Sequence, residues 1–266
     1  MFFFGLNAWV LALILAGIMF GATVAGLLAG RAMSARSEGF REPFGVLQAA
    51  LIGFMGLVLA FGLSLAVGRY ESRRAHVVAE ANTIGTTYLR AQTLAEPERT
   101  DSLRLLRSYT ETSIDIGETV PGSQEQDRAV AESGRQQRAL WSLAGRALDR
   151  APEASAPRLY VETLNEMFDA QTDRVYGLTN RVPTAVLVLE VVLAAIALSV
   201  LALHFATLGR GVAAVLVAAL LVVLLLQVTF DLDRPTRGLI QVPATPLVDV
   251  ATSMSEPPAA EAPDGP

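Results

Sequence analysis

The sequence contains no cysteine, no lysine and only two histidines among its 266 residues. The absence of cysteine excludes disulfide bonds, thiolate metal ligands and cysteine nucleophiles. With only His76 and His204 available, there is little scope for a histidine-rich metal centre. All 21 basic residues are arginine, and the formal net charge of -5 gives no basic surface for nucleic acid. A chain that is poor in lysine and rich in alanine is typical of a GC-rich bacterial genome.

The sequence also lacks the motifs of several enzyme classes. It contains no P-loop, no G-x-G-x-x-G, no G-x-S-x-G and no H-E-x-x-H. Strand-like alternation of apolar and polar residues does not persist anywhere. We therefore predict a helical protein that is not an enzyme and that carries no cofactor.

Long apolar runs are abundant, because 52% of the residues are hydrophobic. A helix that spans a bilayer needs about 20 such residues, and four segments qualify: residues 6–30, 44–68, 183–207 and 211–228. The first run is too long for a signal peptide and has no basic region before it, so we expect a retained helix. The predicted fold is an all-α membrane protein with transmembrane helices 1 and 2 in residues 1–68 and transmembrane helices 3 and 4 in residues 183–229.

The polar region between the second and third spans, residues 69–182, is predicted to be helical. Ser123 and Gln126 match the capping box that begins a helix. Further along, a spacing of three and four residues places on one helix face Tyr160, Leu164, Met167, Gln171, Val175 and Leu178. The tail over residues 252–266 is rich in Pro, Ala and Glu and is predicted to be disordered.

Arginines near the ends of the spans predict the orientation, because cytoplasmic segments carry an excess of basic residues. Four spans put both termini and the middle region on the same side of the membrane. The arginines on that side outnumber those on the other: Arg69, Arg73, Arg74, Arg174, Arg181, Arg234 and Arg237 against Arg31, Arg36, Arg41 and Arg210. We therefore predict a multi-pass protein of the bacterial inner membrane, with cytoplasmic termini and a cytoplasmic middle region.

The second apolar run continues into the polar region without a proline, so one helix should extend from the membrane into the cytoplasm. At about 100° per residue, one face of this helix carries a polar stripe: Arg69, Arg73, His76, Glu80, Thr83, Thr87 and Arg90. Within the membrane the same face carries Phe54, Val58, Gly62 and Leu65, with Phe61 at its edge. A ring of such helices would form an apolar constriction that opens into a charged vestibule for an anion. Alternatively, the apolar residues pack against other spans or lipid, and the polar stripe pairs inside a helical bundle.

Glu190 lies about seven residues into the third span. Ionisable groups at this depth usually face the protein interior and mark functional sites, which suggests a role in transport. The alternative is a position near the interface, where an arginine or a polar group of another helix caps the carboxylate.

A cluster of charged residues follows the fourth span: Asp231, Asp233, Arg234 and Arg237. The two carboxylates are weak candidates for binding a divalent cation. Pro235 and Gly238 instead favour a turn in which the carboxylates accept backbone N–H bonds and pair with the arginines. We predict this second arrangement, a juxtamembrane cap over residues 230–251 that holds no metal.

Two stretches of the sequence resemble the signatures of the bestrophin-like family of mainly bacterial membrane proteins. They are RYESRRAHVVAEANTIGTTYLRAQTL at residues 69–94 and FDLDRPTRGLIQV at residues 230–242. The first is the more specific, through its elements EAN (residues 80–82), IGT (84–86) and YLR (88–90). The layout of paired spans around a helical cytoplasmic region is also similar, so the resemblance covers nearly the whole chain except the tail.

The resemblance implies a distant relation to bestrophins, which are pentameric anion channels with four spans per subunit, cytoplasmic termini and a pore lined by the second span. In animal bestrophins an acidic calcium clasp follows the last span. Asp231 and Asp233 occupy a similar place, but two carboxylates are far fewer than that clasp uses, and we do not infer calcium gating.

We therefore predict a homo-oligomeric anion channel, such as a pentamer, whose partners are the lipid bilayer and inorganic anions. The alternative is a non-conducting membrane scaffold or sensor whose cytoplasmic helices bind a partner. A membrane-bound enzyme that uses Asp231 and Asp233 is the third and least favoured class.

Overall fold

In a computed structural model of the protein, the described residues are 7–33, 41–209, 211–236 and 238–260, without the side chains of residues 41–44. Throughout these ranges the regular elements are helices and no strand is present. The helices are α1 (Ala8–Met33), α2 (Arg41–Ala91), α3 (Glu98–Glu118), α4 (Gln124–Arg150), α5 (Ser155–Thr179), α6 (Thr184–Thr207), α7 (Val212–Leu232) and α8 (Thr245–Ser253). The prediction of an all-α chain is confirmed.

Four stretches of helix are long and apolar enough to cross a membrane. They are α1, the stretch Gly45–Ala91 within α2, the stretch Ser155–Thr207 that ends with α6, and α7. The four predicted spans coincide with α1, the first half of α2, α6 and α7. The prediction of a membrane protein with four spanning helices is therefore confirmed.

The chain divides into two compact units. Unit 1 comprises Met1–Tyr70 and Arg181–Gln241, and unit 2 comprises Glu71–Asn180 and Val242–Pro266. The long helix α2 contributes residues to both units. The segment predicted as one juxtamembrane cap, residues 230–251, is divided: it begins with the last turn of α7 in unit 1 and ends with α8 in unit 2.

Glycine lets α1 and α6 pack closely in unit 1. A Cβ atom on Gly26 would overlap the carbonyl oxygen of Ser199, and one on Gly30 would lie 2.7 Å from the Cβ of Ala206. Helices inside a membrane associate through such close contacts between small residues, because lipid tails are as apolar as the side chains. Aliphatic residues of α1, α6 and α7 fill the rest of the core, among them Leu11, Leu15, Met19, Leu193, Ala197, Leu198, Val222 and Leu226.

Unit 2 is a helical bundle with its own apolar core, formed by residues of α2, α3, α4, α5 and α8. The core residues include Ile84, Leu106, Tyr109, Leu140, Ala144, Tyr160, Leu164, Met167 and Leu247. The face predicted for α5 is largely correct, since five of its six residues are buried and Val175 is half-buried. At the start of α4, the Ser123 hydroxyl accepts the Gln126 N–H at 3.2 Å, as the capping box requires. The Gln126 side chain accepts a hydrogen bond from the Gly122 N–H rather than from that of Ser123.

The prediction of a disordered tail needs correction for residues 252–260. Thr252 and Ser253 end α8, and the N–H of Ala260 donates a hydrogen bond of 3.0 Å to the side-chain oxygen of Gln92. Arg99 also donates to the carbonyl oxygen of Ala260 at 2.9 Å. These two polar side chains hold the backbone of the tail, which composition alone does not reveal. Residues 261–266 lie outside the described part of the chain.

Candidate functional site

In unit 1, α2 presents an apolar face to the outside. Phe54, Phe61 and Leu65 are 54%, 63% and 45% exposed, whereas Met55, Leu59 and Ala66 on the opposite side of the helix are buried in the core. Val58 is partly buried against the same core. Small residues share the exposed face: Gly53, Gly56, Ala60, Ser64 and Gly68. Of the predicted constriction residues, Phe54, Phe61 and Leu65 therefore lie together on the open side, and Val58 lies nearer the core.

In unit 2, the polar stripe of α2 lies largely inside the helical bundle. Arg73, Glu80 and Thr87 are buried, and His76, Thr83 and Arg90 are half-buried. Arg69, at the start of the stripe, belongs to unit 1 and is also half-buried. The Thr87 hydroxyl donates to the Thr163 carbonyl of α5 at 3.1 Å. Arg90 donates to the Leu159 carbonyl at 2.7 Å.

Ion contact by the stripe stays a prediction, and within one subunit Arg73, Glu80 and Thr87 are buried. The exposed fractions of these three side chains are 3%, 0% and 0%. His76 also faces α5, where a Cβ atom on Gly177 would lie 3.1 Å from its ring. The stripe residues lie on one face of α2, and this face packs against α3 and α5.

Glu80 is the centre of a buried charge cluster that joins three helices. Its carboxylate accepts a hydrogen bond from Arg174 of α5 at 2.5 Å and another from the Ser113 hydroxyl of α3. Arg174 also donates to the Ser113 carbonyl oxygen at 2.7 Å. Gly117 leaves room for the guanidinium, because a Cβ atom there would lie 2.7 Å from it. A buried carboxylate with a cation and a hydroxyl as partners is stable without solvent.

A second polar network crosses the interior of unit 2 between α3, α4 and α5. Gln137 of α4 donates to the Gln171 side chain at 2.8 Å and to the Tyr109 hydroxyl at 3.4 Å. Ser133 donates to the same Gln171 oxygen at 3.1 Å. Burial, and after it the negative charge of Glu80, raises the pKa of the Tyr109 hydroxyl above its ordinary value. No motif marks Ser113, Tyr109 or Gln137 in the sequence, and the one available signal is a polar residue on the apolar face of an amphipathic helix.

Glu190 is completely buried in unit 1 and lies against α2. A Cβ atom on Gly62 would overlap the carboxyl group of Glu190, so the side chain packs onto bare helix backbone. Neither carboxyl oxygen has a hydrogen-bond donor among the described residues. Glu190 therefore faces the protein interior rather than lipid, and no arginine of the described chain caps it.

The charged cluster after α7 binds backbone groups of unit 1. The Asp233 carboxylate accepts the Val182 N–H at 2.9 Å, and the Asp231 carboxylate accepts the Ile240 N–H at 2.8 Å. Burial lowers the pKa of the nearby Arg181 guanidinium, and the negative charge of Asp233 opposes that effect. Arg234 is buried beside them, and Arg237 lies outside the described residues.

These contacts favour the predicted turn, in which the carboxylates hold the segments that enter α6 and leave α7. Within the described ranges, no group of three or more His, Cys, Asp or Glu side chains is placed to hold a metal ion.

The fold and the spanning helices define the class: an all-helical membrane protein with four candidate spans and a second helical unit. A family model described as the Bestrophin-like domain matches residues 12–247. Because this match covers most of the sequence, the chain belongs to the bestrophin-like family, and the resemblance inferred from the two signatures is confirmed. No curated protein matches the chain.

Solved structures share the fold at low sequence identity. A point variant of a bacterial bestrophin homologue from Klebsiella pneumoniae superposes with a TM-score of 0.66 at 12% identity, over 89% of this chain and 97% of that one. Another variant of a Klebsiella pneumoniae bestrophin homologue gives a TM-score of 0.61 at 16% identity, over 89% and 93% of the two chains. A structure described only as a membrane protein gives 0.66 at 14% identity, over 89% and 93%.

Proposed function

We propose that this protein is a homo-oligomeric anion channel of the bacterial inner membrane in which α2 lines the pore. The observation that carries the proposal is the exposed apolar face of α2, formed by Phe54, Phe61 and Leu65. In the most apolar 18-residue stretch of each span, 22% of the residues are buried in α2, against 33% to 39% in the other three spans. A helix that its own subunit covers so little has surface for a second copy as well as for lipid.

The composition of that face supports a close approach of neighbouring α2 helices. Gly53, Gly56 and Gly68 have nothing within 4 Å of a Cβ atom built on them, and small residues are typical of helix contacts inside membranes. Around a common axis, Phe61 and Leu65 would then narrow the passage to an apolar constriction that gates by excluding water. Membership of the bestrophin-like family supports the choice of a channel, and a pentamer is the expected assembly. Arg69, next along α2, is the stripe residue nearest this constriction.

Single cysteines test the pore assignment directly, because the natural chain has none. Currents would be recorded from the purified oligomer in planar bilayers before and after a membrane-impermeant thiol reagent. We expect Phe61→Cys and Leu65→Cys channels to be modified and blocked, and Leu221→Cys channels on the exposed face of α7 to be unaffected. Block at Leu221 with none at Phe61 would show that α2 faces lipid.

The alternative function is a non-conducting scaffold or sensor that binds a partner through unit 2. Its support is the exposure of aromatic side chains there, since Tyr176 is 70% and Trp141 45% exposed. Aromatic residues are enriched at protein interfaces. An ordered oligomer that gives no reproducible anion current would favour this alternative over the channel.

A further inference from the structure

Glu190 is an acidic side chain without an electrostatic partner in the middle of unit 1. It is 0% exposed, and both of its oxygens lack a hydrogen-bond donor among the described residues. Its carboxyl group lies on the backbone of α2 at Gly62, where any larger residue would overlap it. Glycine at position 62 therefore leaves the space on α2 in which this carboxyl group lies, and we call this space the seat.

The other ionisable groups in the described part of unit 1 lie near the ends of α1, α6 and α7, in the segments between helices, or on α2 beyond its apolar half. On α2, Arg69 is seven residues beyond Gly62, about 10 Å along the axis. On α6, His204 is fourteen residues beyond Glu190, about 21 Å along the axis. The complete set with described side chains is Arg31, Arg69, Tyr70, Arg181, Glu190, His204, Asp231, Asp233 and Arg234.

An ionised carboxylate in this position would be buried without a cation and without hydrogen bonds, which is strongly unfavourable. A metal ion would not compensate the buried charge, because hard cations need more oxygen ligands than one carboxylate supplies. A bound proton would remove the charge, because it converts the carboxylate into a neutral acid. We propose that Glu190 is a proton-binding site: it occupies its seat on Gly62 as a neutral acid, and loss of the proton drives the side chain away from α2.

The site is placed to affect the exposed face of α2. Gly62 is adjacent in sequence to Phe61, whose ring lies on the open side of the helix. Movement of the carboxyl group on or off its seat changes how closely α6 can approach α2. An effect of pH on conduction through this movement rests on the proposed channel function, whereas the proton site itself does not.

Infrared spectroscopy of the full-length protein in lipid nanodiscs tests the proton site across a range of pH. We expect the difference spectrum, wild type minus Glu190→Gln, to contain the carbonyl band of a protonated carboxyl group at neutral pH. This band should disappear at high pH. The matched control, Glu166→Gln on the exposed face of α5, should remove no such band. A carboxylate band in place of the acid band at neutral pH would overturn the proposal.

The Gln variant should fold, because its side chain has the size of the neutral acid. A Gln variant that does not fold would contradict the proposal that the side chain at position 190 is neutral.

A second experiment tests the seat on Gly62 by thermal unfolding. We expect Gly62→Ala to lower the midpoint in the wild-type background by several degrees and much less in a Glu190→Ala background, because the overlap then disappears. Gly56→Ala is the control, since nothing lies within 4 Å of a Cβ atom there. Equal losses at Gly62 in both backgrounds would overturn the seat. If the infrared spectrum shows a clear acid band but no current is recorded, only the proposed channel function is overturned, and the proton site is retained.

Discussion

Two buried glutamates of this chain lie in opposite electrostatic environments. Glu80 accepts hydrogen bonds from Arg174 and Ser113 in unit 2, whereas Glu190 in unit 1 has no donor among the described residues. Burial removes the hydration of both carboxylates, so a charge persists only where fixed protein groups replace water. We therefore interpret Glu80 as a structural charge and Glu190 as a group that binds a proton.

Removal of one member of the buried pair should strongly destabilise unit 2. The two side chains are 3% and 0% exposed, so Arg174→Met leaves the Glu80 carboxylate buried without its cation. We expect a loss of about 3–5 kcal/mol in the free energy of unfolding. Denaturant unfolding of the purified protein, followed by circular dichroism, would measure it.

The control is an exposed ion pair of the same unit. Arg104 and Asp101 form a pair on α3 with side chains 79% and 43% exposed, so Arg104→Met should cost less than about 1 kcal/mol. The double variant Glu80→Gln with Arg174→Met should recover part of the loss, since no charge is then left unpaired. Similar losses for Arg174 and Arg104 would show that the buried pair is not a structural charge.

At the scale of the elements, hydrophobic length and period were sufficient to predict the four spans, the extension of α2, and α4 and α5, but they did not locate α3 or α8. The four spans follow from runs of apolar residues, and the capping box at Ser123 predicts the start of α4. The residues of the polar stripe on α2 lie on one helix face, as their spacing predicts, but this spacing does not determine the role of the stripe. A stripe that lines a vestibule and one that packs inside a bundle have the same spacing along the helix.

The difference depends on residues distant in sequence, which a single helix pattern does not contain. Arg174 is 94 residues from Glu80 and comes from α5, and Ser113 comes from α3. Likewise, Glu190 could be recognised as an unusual residue of a span, but its seat on Gly62 depends on the pairing of α6 with α2. The backbone contacts of Asp231 and Asp233 were predictable in kind, because Pro235 and Gly238 favour a turn. The N–H groups that donate to them, those of Ile240 and Val182, were not predictable.

The close packing of α1 against α6 yields a prediction about two similar glycines. Gly26→Ala places a Cβ atom into the carbonyl of Ser199, so the helices must separate, and we expect a loss of about 1–3 kcal/mol. Gly17→Ala on the same helix meets nothing within 4 Å and should be neutral or slightly stabilising. Thermal unfolding of the two variants in the same detergent would compare them. A loss at Gly17 equal to that at Gly26 would contradict the assigned α1–α6 contact.

For the whole molecule, the even number of spans and the arginine distribution together predict the orientation. Unit 2 interrupts unit 1 between the second and third spans, and the chain returns to unit 2 after α7. With four spans, we predict that both of these chain segments lie on the same side of the membrane. Because cytoplasmic segments carry an excess of basic residues, we predict that this side is the cytoplasm.

Single-cysteine labelling in intact cells and in inverted vesicles would test this orientation. We expect Glu166→Cys in unit 2 and Ser255→Cys beyond α8 to react with an impermeant reagent only in inverted vesicles. Leu208→Cys, between α6 and α7, should react only in intact cells, and all three positions are exposed. Labelling of Glu166→Cys from outside the cell would reverse the orientation. Labelling of Glu166→Cys and Leu208→Cys from the same side would contradict the spanning of α6, because the two positions lie on either side of that helix.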